Sequence, residues 1–180
     1  QKALRSIEKK GSEFEFPPNT LPKDALLNSI SYGHESRIND VQQALWAGVS
    51  LEDVYAASHI DPWFLAQIAK INDIARKILS DGLDRTLLRS AKRHGFSDKQ
   101  LATLCDLPAA KIRDLRHEYA IRPVFKTVDT CAAEFEAFTP YHYSTYDQES
   151  EVAPRTRPAV FIIGSGPNRI GQGIEFDYSC

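Results

Sequence analysis

Residues 159 to 180 read AVFIIGSGPNRIGQGIEFDYSC: an apolar run, four glycines within ten residues, and acidic residues where a helix would begin. A strand, a glycine loop and a helix start can present backbone N–H groups and the positive end of a helix dipole to an anion. Candidate residues for such a loop are Gly164, Gly166, Asn168, Arg169, Gly171 and Gly173. Neither familiar fingerprint is complete. A dinucleotide loop, G-x-G-x-x-G, needs glycine at 169, where the chain has Arg169. A P-loop has its spacing at Gly166 and Gly171 but continues Gln172-Gly173 instead of Lys-Ser/Thr. Arg169 adds positive charge, whereas Glu175 and Asp177 suit the helix dipole but repel a phosphate placed close by. Two readings therefore stand side by side, an anion- or nucleotide-holding loop and a structural tight turn.

A second constellation is SDKQLATLCDLPAAKIRDLRHEY, residues 97–119. Leu101, Ala102, Leu107, Ile112 and Leu115 fall where a helix-turn-helix keeps its small and apolar positions. The second helix would offer Lys111, Arg113, Arg116 and His117 to phosphates or bases. Against this stand Asp106 at a turn position where glycine is usual, and Asp114 and Glu118 among the basic residues. A DNA-binding module is thus the alternative to a structural helix pair. The five histidines have no metal-ligand spacing, and Cys131 has no evident base partner and reads as an inert thiol. Tyr141, His142, Tyr143 and Tyr146 could stack on a base but fit better as a connector packed on a domain surface. No catalytic residue and no metal ligand is assigned.

The elements that must position these groups are mainly helical. Residues 2–10 place Ala3, Leu4 and Ile7 on one face before Gly11, and residues 12–34, rich in Pro, Asn and Ser, read as a linker with one helical turn around Asp24 to Ile30. From Arg37 each helix has its own punctuation. Gly48 is a stop, and Ser50-x-x-Asp53 reads as a capping box opening a helix to about Ser58. Asp61-Pro62 is a strong start, since Asp61 can cap and Pro62 has no N–H to leave unpaired. Phe64, Ile68, Ile71, Ala75 and Ile78 then form an apolar stripe ending before Gly82. Helices Arg85 to His94, Asp98 to Cys105 and Ala109 to Tyr119 follow, the second opened by Ser97-x-x-Gln100. Residues 124–158 read as a long connector, and Ala159 to Ile163 as the first, doubly buried strand of a parallel sheet. The expected fold is a compact multi-helix domain followed by a connector and the opening of a truncated α/β domain.

Composition sets outer bounds. At 180 residues, 42% hydrophobic and 26% charged, the chain has the balance of a globular protein. A net charge of -2 argues against a general polyanion binder, and three scattered cysteines suggest neither a disulfide framework nor a zinc site but a reducing cytoplasm. Neither a membrane span nor a signal peptide is visible. Methionine is absent even at position 1, so the chain is expected to be a piece of something longer.

Several of these stretches, in one order, resemble the large-subunit family of glutamine-dependent carbamoyl-phosphate synthetase. GSGPNRIGQGIEFDYSC is similar to the opening of that family's second synthetase half, and KTVDTCAAEF with YHYSTYD to the segment before it. KALRSIE resembles the end of the first ATP-grasp half, and ALWAGVSLEDVYAASHIDPWFLAQI with AKRHGFSDKQLA the helical domain between the halves. Ser165 departs from a glycine-rich position without preventing the turn. The resemblance implies four parts: 1–16 closing the upstream half, 17–130 the helical oligomerization domain, 131–157 a connector, and 158–180 the start of the pre-ATP-grasp domain. It implies a non-catalytic assembly and linker role within an ATP-dependent ligase that makes carbamoyl phosphate from bicarbonate, glutamine-derived ammonia and two ATP, for arginine and pyrimidine synthesis. ATP with Mg or Mn, and K, would serve the full enzyme, with no cofactor in this piece. Partners would be further large subunits through the helical domain and a glutamine amidotransferase subunit, with no nucleic acid and no membrane. The glycine-loop residues become candidates for lining the second ATP site.

Overall fold

The computed structural model describes residues 1–7, 9, 11–18, 21–129, 131, 134–135 and 141–161. Among them lie eight helices: α1 (Lys2–Arg5), α2 (Lys23–Ile30), α3 (Arg37–Trp46), α4 (Leu51–Ser58), α5 (Pro62–Asp81), α6 (Arg85–Arg93), α7 (Asp98–Cys105) and α8 (Ala109–Glu118). A two-stranded antiparallel ribbon, β1 (Val124–Val128) and β2 (Tyr141–Thr145), follows, in a register that pairs Val124 with Thr145 and Val128 with Tyr141. The fold is mainly α, as expected.

The helices start where the sequence supplies caps. Asp61 accepts from the Trp63 N–H with Pro62 in the first turn, and Asp84 accepts from the Leu87 N–H. The complete capping box is at Ser97 and Gln100. At Ser50 only half forms: the hydroxyl accepts from the Asp53 N–H but also donates to the Asp53 carboxylate at 2.8 Å, so that carboxylate does not reach back to the cap backbone. Asp106 takes the left-handed conformation at φ 51°, which an aspartate tolerates, so the turn after α7 closes without glycine.

The central helix α5 packs on α3, α4, α6 and α7, α2 packs on α3 and α4, and α8 packs on α7. One continuous core runs through them, including Leu26, Ile30, Val41, Val54, Leu65, Ile78, Leu88, Phe96, Leu101 and Ile112. The stripe on α5 is rotated from the expected one. Leu65, not Phe64, faces inward, and Phe64 stands 57% exposed against the Trp63 ring. Leu65, Ile68, Asn72, Ala75 and Ile78 keep helical spacing, and the polar member is satisfied. Asn72 donates to the Gln42 carbonyl at 3.0 Å and accepts from the Gln42 side chain at 2.9 Å, joining α5 to α3.

Residues 12–34 are more than a linker. Phe14 and Phe16 are buried, with the Phe16 ring 5.1 Å from Phe96, and α2 runs for eight residues with Leu26 and Ile30 fully buried. Two phenylalanines spaced by one glutamate and two prolines give no helical period, which is why pattern alone missed their burial. The connector contains the ribbon, unforeseen because its strands are short and mostly exposed. Ala159, Val160 and Phe161, the described part of the expected strand, have no regular secondary structure; its remainder lies outside the described residues.

Candidate functional site

Gly164, Gly166, Asn168, Arg169, Gly171 and Gly173 lie outside the described residues. The described chain instead concentrates its buried charge elsewhere, around Asp98 at the start of α7. The Asp98 carboxylate accepts from Lys92 Nζ at 2.8 Å and from both Nε and Nη2 of Arg116, at 2.7 to 3.1 Å. Lys92 is buried, donates a second bond to the Phe96 carbonyl at 2.8 Å, and lies 5.1 Å from the centre of the Tyr146 ring.

The local sequence explains this convergence. Leu88, Ala91 and Lys92 occupy the inward face of α6, so the helix period drives a lysine into the core, where its ammonium needs a carboxylate. Ser97 caps α7, fixing Asp98 in its first turn, and Arg116 reaches Asp98 from the last turn of α8. Burial pulls the Lys92 ammonium below its usual range against the opposing effect of Asp98. At Asp98 burial pushes upward, but the hydrogen bonds from Arg116 and Lys92 outweigh it and hold the carboxyl below the usual carboxylate range.

This cluster floors a cavity of about 570 Å³ whose other walls come from opposite parts of the chain: Gln1, Lys2 and Arg5 on one side, and Ser144, Thr145 and Tyr146 on the other. Gln100 binds the first side, accepting from Arg5 Nη1 at 3.1 Å and donating to the Gln1 side chain at 3.2 Å and to the Phe14 carbonyl at 2.8 Å. Gln1 also donates to the His94 carbonyl at 2.9 Å. Gly95, at φ +87°, makes this approach possible, because a Cβ there would meet the Gln1 Cβ at 3.3 Å. Lys2 Nζ then crosses the cavity to the Ser144 carbonyl at 2.8 Å. The arrangement is a clamp: side chains of α6, α7 and α8 hold the first residues and the end of the ribbon in one place.

Among the described residues no group of three or more His, Cys, Asp or Glu is placed to hold a metal ion. Burial raises the Cys105 thiol above its usual range, disfavouring the thiolate a nucleophile needs. The helix-turn-helix reading loses Arg116, which is bound to Asp98 instead of being presented to a phosphate. Lys92, Asp98, Gln100, Arg116 and Tyr146 were not singled out from the sequence as one site. The available signal was a lysine at a core-facing position of α6 with an aspartate six residues on.

Comparison with known proteins agrees with the packing. A family model described as carbamoyl-phosphate synthetase large chain, oligomerisation domain, matches residues 1–120 of the chain. A second, carbamoyl phosphate synthase preATP-grasp domain, matches residues 156–180. Among curated proteins, the carbamoyl phosphate synthase large chain of Micrococcus luteus is 58% identical over 181 residues, covering 100% of this chain and 16% of the relative. That of Streptomyces coelicolor is 58% identical with the same coverage, and that of Beutenbergia cavernae 55% identical over 184 residues, or 17% of its length. The chain thus spans about a sixth of the length of the relatives it matches. With residues 1–120 matched to that domain and residues 156–180 to the preATP-grasp domain, the chain belongs to the oligomerisation-domain family of the carbamoyl-phosphate synthetase large chain.

Proposed function

We propose that this chain is a non-catalytic assembly and linker domain that sets the geometry between the two synthetase halves of a carbamoyl-phosphate synthetase large chain. The observation that supports it is the clamp around Asp98, which fixes residues 1–5 and 144–146 on one rigid helical body. In this reading the first residues close the upstream half (1–16), the helical domain spans 17–130, and the connector (131–157) feeds the pre-ATP-grasp segment. A clamp between entry and exit keeps the halves in register while each does its own chemistry. The whole enzyme would be a cytoplasmic ligase making carbamoyl phosphate from bicarbonate, ammonia and two ATP for arginine and pyrimidine synthesis. Its ammonia would come from a glutamine amidotransferase subunit, and its ATP sites would use Mg or Mn, and K. Gly164, Gly166, Asn168, Arg169, Gly171 and Gly173 would line the second ATP site.

Two measurements test the two halves of this reading. Sedimentation velocity of the chain should show self-association that grows with concentration; a strict monomer at all accessible concentrations contradicts assembly through this domain. The chain should not hydrolyse ATP in the presence of bicarbonate, and turnover that tracks the purified chain contradicts the non-catalytic role.

A further inference from the structure

The outward face of α6 presents Arg85, Arg89 and Arg93 at positions i, i+4 and i+8, all exposed. Residues four apart on a helix stand one above another, about 6 Å apart along the axis, so the three guanidinium groups form a column about 12 Å long. With Lys70 of α5 they line a groove of about 670 Å³ in which no acidic residue takes part. Thr86 and Ser90 add hydroxyl groups to the same wall. The carboxylate nearest in sequence, Asp84, is engaged as the cap of α6.

Compensation within the chain is slight. Arg85 donates to the Tyr119 carbonyl at 3.4 Å, and Arg93 lies 3.9 Å from the Asp147 carboxylate. Arg89 and Lys70 have no hydrogen-bond or ion-pair partner among the described residues. Like charges four residues apart destabilise a helix, so the column opposes the folding of the helix that bears it unless an anion joins it. Guanidinium forks and hydroxyl donors suit phosphoryl oxygens, which each fork can grip through two N–H groups. A single phosphate spans only part of the column, whereas a chain of phosphoryl groups can engage neighbouring arginines together. No Phe, Tyr or Trp lines the groove; its one ring is His94, tied through Nδ1 to the Ser90 carbonyl at 2.8 Å, so the cationic side chains dominate the wall.

We propose that the α6–α5 groove is a binding site for a small polyphosphate-class oxyanion, recognised through its phosphoryl groups and not through any base. The groove adjoins the clamp cavity, with which it shares Arg93 and His94.

Isothermal titration of the 180-residue chain with inorganic triphosphate at low salt tests this, with orthophosphate, citrate and ATP as further arms. Saturable binding is expected in the order triphosphate, then orthophosphate, with citrate no stronger than orthophosphate. ATP should match triphosphate in the presence of an Arg169→Gln substitution, which removes the loop's own cation. Arg89→Gln should weaken triphosphate binding about tenfold, the loss of one charge-assisted contact, and Arg89→Gln with Arg93→Gln should abolish it. Lys111→Gln, an exposed change of equal charge on α8, should leave it intact. Absence of saturable triphosphate binding overturns the proposal, as does binding undiminished in the double variant or weakened equally by Lys111→Gln. Because Arg89, Arg93 and Lys111 are exposed, circular dichroism should show unchanged folding in their variants, and the double variant should melt no lower than the parent chain.

Discussion

Helix α6 bears positive charge on two neighbouring sides, one turned to the core and one to solvent, and the two are treated differently. Lys92, turned inward, is buried against Asp98, the Phe96 carbonyl and the Tyr146 ring. Arg85 and Arg89, turned outward, have no carboxylate partner, and Arg85 makes one long hydrogen bond, to the Tyr119 carbonyl. A charge placed in the core must be compensated by the chain itself, because removing one partner of a buried pair leaves the other stranded. A charge in water can remain uncompensated, and a column of such charges is then available to a ligand. The inner face is therefore a structural clamp, and the outer face a surface for an anion.

The comparison breaks most severely on the inner side. Phe96 is buried and packs its ring on Phe16, so Phe96→Ala should cost about 3–5 kcal/mol, read as a lower urea midpoint. Asp98→Asn should cost about 2 kcal/mol at neutral pH, a value reduced from that of a fully buried pair because Asp98 is partly open to water. That loss has a pH signature. The Asp98 carboxyl titrates lower in the folded than in the unfolded chain, so its stabilisation is complete above the unfolded value, about 3.9, and disappears as pH falls through the folded one. The gap between parent and Asp98→Asn should therefore begin to narrow below about pH 4 and close once pH has fallen below the folded value. A gap that persists at lower pH would assign the effect to packing instead of charge.

Smaller effects sharpen the contrast. Ser97→Ala removes the cap that sets Asp98 in place and should cost about 1 kcal/mol by chemical denaturation. On the outer face, Arg89→Gln should change stability by no more than about 0.5 kcal/mol, in the stabilising direction, because it relieves repulsion with Arg85 and Arg93. A loss as large as that of Asp98→Asn would mean the outer column is structural too.

Much of the helical layout was legible from local chemistry. Asp61-Pro62, Ser97-x-x-Gln100 and Gly82 act within one helical turn, so they mark the bounds of α5 and the start of α7 without tertiary information. What depends on packing was harder to read. Phe64 and Leu65 are adjacent and both apolar, and only the neighbours of α5 decide which one points inward. The clamp was hidden for the same reason: Gln1, Asp98, Arg116 and Tyr146 are brought together by the folding of four segments, and no spacing in the sequence connects them. Arg85, Arg89 and Arg93 do have a visible helical spacing, but their lack of partners becomes apparent only when the surrounding side chains are placed.

The central claim is that the Asp98 carboxylate, through Lys92 and Arg116, keeps the first residues and the ribbon end together. Hydrogen–deuterium exchange of the Asp98→Asn chain tests it most directly. With the carboxylate neutralised, Arg5, Lys92 and Arg116 face one another across the cavity without a counter-charge. Exchange should accelerate together in residues 1–7 and 141–147 while α5 from Ile68 to Ile78 stays protected. Unchanged exchange in either segment, or acceleration spread evenly over α5 as well, would contradict the clamp.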